Sequence, residues 1–140
     1  MSFCTVVEEA FKKAQFARLN AHAEYSGVKV GAALKVKGND EIYYGANVEF
    51  VVNGVSTCAE RNAIFSAVSN NGKIEIEFIV VCSNTEPALY PCGVCLQSIS
   101  EFANPETPIY IGNKDKLLDK AIFKNLLTHQ YSELPKILAE

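Results

Sequence analysis

Cys92-Gly93-Val94-Cys95 sets two thiols at C-x-x-C spacing directly behind Pro91, a residue suited to the point where a loop turns into a helix. The first turn of such a helix brings both sulfurs to one side, where they can converge on a single ion. Taken alone, the spacing equally describes a redox dithiol, and a structural zinc knuckle would need a second such pair, which the chain lacks. What it has instead is Cys58, also placed after a strand and loop at an expected helix start, and followed by Glu60 and Arg61 in the stretch STCAERNAIFSAV. Three thiolates without a fourth protein ligand describe tetrahedral zinc with one position open, the arrangement of catalytic rather than structural zinc. Water would take that position. Glu60, close behind Cys58, could then accept its proton without ligating the metal.

A charge count explains why a base follows the acid. Zinc with three thiolates carries a net negative charge, which opposes loss of a proton from bound water, whereas neutral histidines would leave the ion's positive charge in place. Arg61 can offset the excess by donating its guanidinium fork to a ligand sulfur, and two helix N-termini add partial positive charge. The plainer readings are three buried thiols acting as small apolar residues, a Glu60 favoured only by the helix dipole, and a solvated Arg61. The first would require Pro91, Glu60 and both helix starts to coincide by accident.

These side chains need elements to aim them. From Phe3 to His22 the residues Val6, Val7, Ala10, Phe11, Ala14 and Ala17 recur mostly at helical spacing, with Glu8, Glu9, Lys12 and Lys13 between them, so an amphipathic helix is expected until Tyr25-Ser26-Gly27 breaks it. VKVGAALKV and EIYYGANV read as strands of a hairpin joined by KGND. The Cys58 helix runs to Asn70-Asn71-Gly72. EIEFIVVCS, almost continuously apolar, suits a central strand covered on both faces. PCGVCLQSISEFANP predicts a third helix and TPIYIGN another strand, whereas KLLDKAIFKNLLTHQY could open as an edge strand and close as a short helix.

The chain has 140 residues, 49% of them hydrophobic and 21% charged, as expected of one domain spanning 1–140. A formal charge of -3, with no lysine-arginine run and no basic-aromatic pattern, disfavours nucleic-acid and membrane partners and suits a small-molecule substrate. Acids at Glu8 and Glu9, where a secretory signal would be basic and then apolar, point to a cytoplasmic protein. No apolar stretch approaches the roughly 20 residues that span a bilayer. Of the five cysteines, Cys4 in the first helix and Cys82 at the end of the central strand are read as structural; His22 and His129 lack a spaced partner ligand.

Together, Cys58-Ala59-Glu60-Arg61, Pro91-Cys92-Gly93-Val94-Cys95 with Gln97, and Val30-Gly31-Ala32-Ala33-Leu34 resemble the small homotetrameric cytidine deaminases, and the likeness runs from about Phe3 to Tyr131. The resemblance implies an α/β fold, a three-layer sandwich around a mixed, roughly five-stranded sheet, with zinc held between two helix N-termini. It implies hydrolytic deamination of cytidine and 2′-deoxycytidine by zinc-activated water in pyrimidine salvage, with Glu60 carrying protons between the ring nitrogen and the departing amine. Asn47 and Glu49 fall where the family has an N-x-E that holds the ribose hydroxyls, although they could equally end a strand in a polar turn. The backbone at Ala59 would meet the pyrimidine carbonyl. Tyr131 matches an aromatic that closes a neighbouring subunit's pocket in a homotetramer, or it packs only on its own chain's last helix.

The departures concern the substrate and leave the zinc chemistry intact. Val28 stands where the family usually has an aromatic packed on sugar and base. Phe50-Val51-Val52-Asn53-Gly54 replaces an N-A-S-Y-G-like loop, Leu96 replaces an arginine, and Thr128 replaces a proline. Rival readings are a deaminase of another cytosine nucleoside, such as the related blasticidin S deaminases, and a non-catalytic zinc-stabilised interaction domain. Glu49 counts against the first, since it suits a ribose clamp. Glu60 counts against the second, since a structural site needs no proton carrier.

Overall fold

The computed structural model describes residues 3–139. In chain order its elements are α1 (Thr5–Leu19), β1 (Val30–Val36), β2 (Ile42–Ala46), a 3₁₀ turn at Asn53–Val55, α2 (Ala59–Asn71), β3 (Ile76–Ser83), α3 (Gly93–Ser100), β4 (Pro108–Asn113), β5 (Leu117–Ile122) and α4 (Phe123–Leu126). The apolar run predicted to be central is β3, and only Glu77 in it is exposed. It pairs antiparallel with β1 and parallel with β4, while β2 and β5 add antiparallel edges to give the mixed order β2-β1-β3-β4-β5.

Strand alternation sorts the core into two layers. Ala33, Phe78, Val80, Cys82 and Tyr110 face α1, meeting Val7, Ala10, Phe11 and Ala14. On the opposite face, Ala32, Leu34, Ile79, Val81, Ile109 and Ile111 pack on α2 and α3 through Ala59, Ala63, Ile64, Ala67, Leu96 and Ile99. The expected three-layer sandwich results. Two glycines set how closely the helices lie: a Cβ on Gly31 would stand 1.9 Å from the Ala14 carbonyl oxygen of α1, and one on Gly45 would stand 2.6 Å from the Ala63 nitrogen of α2. Any side chain at either point would push a helix off the sheet.

Three local expectations change. α1 ends at Leu19 rather than His22, because residues 20–22 leave the helix to meet the segment after β2: the His22 N–H donates to the Asn47 carbonyl at 3.1 Å, and the Glu49 N–H to the His22 carbonyl at 2.8 Å. Cys4 precedes α1 as its exposed N-cap residue instead of lying within it. The hairpin strands are shorter than the apolar runs that predicted them, and Val28 and Asn47, just outside them, line the cleft. The ambiguous C-terminal stretch holds both of its forms, an edge strand followed by one helical turn. Cys82 is structural as expected: it is fully buried, and burial pushes its thiol up to about 11. Among the described residues no helix is long and apolar enough to cross a membrane.

Candidate metal centre and substrate cleft

α2 and α3 each begin immediately after a cysteine. Cys58 and Cys92 are the N-cap residues, both in extended backbone, and neither side chain caps its own helix, so both sulfurs are free to turn elsewhere. They turn toward each other and toward buried Cys95 in the first turn of α3, and the three Sγ atoms all lie within 4.8 Å of one another. As bare thiols Cys58 and Cys95 compete for one proton between them: the Cys58 thiol is pushed down to about 5, chiefly by its hydrogen bond with Cys95, while that bond and burial push Cys95 up. A divalent cation would replace the shared proton and allow all three to ionise. Three soft sulfur donors converging between two positive helix ends fit zinc.

Glu60 and Arg61 follow at once along α2, and the helix sends them into different surroundings. Glu60 is only 5% exposed, beside Cys58 and Cys95, and burial pushes its carboxyl up. That direction suits a group whose work is to hold and release protons. For Arg61, burial opposes the charge, but hydrogen bonds to the Cys58 and Cys95 sulfurs outweigh it and the guanidinium is held more firmly charged. Arg61 is half-buried beside the sulfurs, where its charge can offset theirs. Its Nε is buried with no hydrogen-bond partner of its own.

A cleft of about 230 Å³ opens beside this centre, lined at its deep end by Cys58, Ala59, Glu60 and Cys92 and along its walls by Val28, Val30, Val81, Leu89 and Tyr90. Its outer end is polar. There Glu49 receives the Ser26 N–H at 3.2 Å, and the Ser26 hydrogen bond holds its carboxyl below the usual range. Asn47 also lines the cleft, but both ends of its amide are already engaged: Oδ1 accepts the Val30 N–H and Nδ2 donates to the Val28 carbonyl, each at 2.8 Å. Asn84 does the same for the alternate residues, accepting the Lys29 N–H at 2.9 Å and donating to the Gly27 carbonyl at 3.0 Å. Two asparagines thus clamp the strap that carries Val28.

The segment holding Asn47 and Glu49 is itself tied to the metal end. Val48 exchanges backbone hydrogen bonds with Thr57, next to Cys58, at 2.9 and 3.0 Å. His22, read as a loop histidine, is exposed and braces the other side, its ring Nδ1 lying 2.8 Å from the Glu49 carbonyl oxygen. Asn62 fixes α2 to the end of β2 by donating to the Ala46 carbonyl at 2.7 Å.

Of the residues expected from sequence, Cys58, Cys92, Cys95, Glu60, Arg61, Ala59, Val28, Asn47 and Glu49 come together here. Tyr131 does not join its own chain's cleft. It is 74% exposed, and its backbone N–H and carbonyl are both bonded to the Gln97 side chain of α3, not to α4. Sequence reading passed over Ser26, Asn84, Leu89 and Tyr90. Leu89 and Tyr90 carried a signal in their adjacency to Pro91-Cys92, but Ser26 and Asn84 became meaningful only when distant loops met.

A family model described as the cytidine and deoxycytidylate deaminase zinc-binding region matches residues 5–111, a span that includes all three sulfurs and Glu60. The chain belongs to this family. A cytidine deaminase of Sporosarcina psychrophila is 35% identical over 127 residues, 91% of this chain and 92% of that protein. One of Halalkalibacterium halodurans is 39% identical over 102 residues, 73% of this chain and 76% of that protein. The fold superposes on a cytidine deaminase from Burkholderia pseudomallei with a TM-score of 0.81 at 31% identity, covering 89% of this chain and 98% of the other. Family membership and the sulfur cluster make this a hydrolytic deaminase with a zinc site.

The ligand assignment has a direct check. Protein purified without chelator should carry about one zinc per chain, and Cys58→Ala should fall well below that because two thiolates and water bind zinc far more weakly than three. Full zinc occupancy in Cys58→Ala, measured by elemental analysis, would remove Cys58 from the ligand set.

Proposed function

We propose that this chain hydrolyses cytidine and 2′-deoxycytidine to uridine and 2′-deoxyuridine, releasing ammonia, in pyrimidine salvage. The observation that carries the reading is Glu60: a buried carboxyl, pushed toward its protonated form, standing beside three converged sulfurs at the deep end of a cleft with a carboxylate at its mouth. Cys58, Cys92 and Cys95 would hold zinc, which would supply the Lewis acidity that makes water nucleophilic near neutral pH. Glu60 takes the proton that water gives up, delivers it to the ring nitrogen beside carbon 4, and later passes a proton to the departing amine. Arg61 offsets the thiolate charge from the side away from substrate. The Ala59 backbone meets the pyrimidine carbonyl, and Glu49 accepts from the ribose hydroxyls at the outer end.

Asn47 has a double part in this reading. Its remaining donor and acceptor capacity faces the cleft, while its existing bonds keep the Val28 strap in place. A cleft of about 230 Å³ lies below the ~300–1,000 Å³ usual for small-molecule sites, so one chain encloses a nucleoside only in part. That favours a homotetramer in which a neighbour completes the wall, with Tyr131, exposed in the segment after α4 and tied through its backbone to Gln97 of α3, as the contributed aromatic. A cytoplasmic setting suits thiolate ligands, which need a reducing compartment. All of it belongs to one domain spanning 1–140.

Three outcomes follow from this assignment. Glu60→Gln should keep its fold and zinc but lose at least ~10²–10⁴-fold in turnover of cytidine followed by ultraviolet absorbance, since an amide cannot shuttle protons; activity within a few-fold of the parent would defeat the role. Glu49→Ala should raise KM for cytidine at little cost in stability, and free cytosine should be a poor substrate, because a site built for hydroxyls is left unpaired by ligands that lack them, at about 1–3 kcal/mol per group. Equal efficiency on cytosine and cytidine would contradict the ribose clamp. Glu49 is the cleaner position to test, because removing Asn47 also frees two strap hydrogen bonds. Light scattering should report about four chains per particle if the shared-site reading holds, and a fully active monomer would end it.

A further inference from the structure

The cleft has a polar mouth and a metal end, but a pyrimidine also has two flat faces that need apolar cover. Val28, Val30, Val81 and Leu89 provide aliphatic walls, and among the described residues lining the cleft Tyr90 is the one aromatic. It stands two residues before Cys92, at the metal end, where the reacting ring of a nucleoside lies rather than its sugar. The side chain is held at both ends. On the backbone side Pro91 is buried and the Leu89 N–H donates to the Ser83 hydroxyl at 3.3 Å, which fastens the loop to the end of β3. At the far end the Tyr90 hydroxyl donates to the Asp119 carboxylate on β5, and that bond holds the phenol protonated to higher pH than usual. Yet Tyr90 is 47% exposed, so its ring is fixed without being buried in the core. A ring immobilised before binding loses little further entropy when a flat ligand covers it.

We propose that Tyr90 supplies the aromatic face on which the base stacks, in place of the aromatic that Val28 replaces, and that Asp119 is the positioning residue that holds the ring. The inference rests on the deaminase reading above and adds to it the residue that grips the base. A Tyr90 that only tied β5 to α3 would use its hydroxyl alone, whereas a stacking platform uses the ring, and the two uses separate in variants.

Tyr90→Ala should raise both KM for cytidine and the inhibition constant of uridine by roughly five- to a hundredfold, the effect of losing an aromatic under a base, with kcat within a few-fold and zinc content unchanged. Tyr90→Phe keeps the ring and should recover most of the affinity for both ligands. Asp119→Ala should weaken uridine binding about as much as Tyr90→Phe does, and should add nothing when the two changes are combined. Active protein whose Tyr90→Ala variant keeps its KM within twofold, loses its zinc, or is matched in weakness by Tyr90→Phe would overturn the stacking role and leave the deaminase reading standing. Additive losses would overturn the part given to Asp119. A parent protein that binds zinc but turns over neither cytidine nor deoxycytidine would overturn the deaminase reading and this inference with it.

Discussion

Three sulfurs within 4.8 Å are the constraint to which the rest of the molecule answers. Thiolates repel one another, and bringing them together in a partly buried place costs several kcal/mol per charge unless something positive stands among them. The chain meets that cost in layers: a cation between the sulfurs, two helix N-termini pointing at them, and the Arg61 fork on Cys58 and Cys95. Each layer requires α2 and α3 to begin at the same point in space. Since Cys58 and Cys92 are both N-cap residues, a shift of either helix by one turn would take a ligand out of reach.

The sheet fixes where those helices begin. β3 and β4 run parallel, and α3, which connects them, lies with α2 on one face, while α1 covers the other. Gly45 lets α2 rest directly on β2 and Gly31 lets α1 rest directly on β1, so both helices are placed by backbone contact rather than by adjustable side chains. The Asn62 bond to Ala46 and the Val48 bridge to Thr57 then pin the entry to α2 from two sides. The same bridge carries Glu49, so the distance from metal to cleft mouth is built into one short ladder.

Val28 gives the cleft an aliphatic wall without an aromatic face, and the strap that carries it is held by four side-chain hydrogen bonds from Asn47 and Asn84. At about 0.5–1.5 kcal/mol each, such bonds order the segment that leads into β1. Phe50, Val51, Val52 and Val55 are all exposed in the loop that joins Glu49 to Cys58.

The sequence by itself determined which three cysteines converge, which acid is placed beside them, the layer order and the type of most elements, because these depend on local spacing: C-x-x-C behind proline, C-x-E at a helix start, and alternation or helical recurrence of apolar residues. It also placed Arg61 beside the centre, since adjacency on a first turn leaves little choice. Tertiary structure alone decided the rest. Whether Arg61 faced sulfur or water depended on burial by other elements, α1 stopped three residues early because His22 found Asn47 and Glu49 across the chain, and Asn47 turned out to brace a strap as well as face the cleft. Adjacency to Pro91-Cys92 put Tyr90 near the centre, but its partner, Asp119, lies 29 residues away on an edge strand, and a contact of that separation exists only after the sheet has closed.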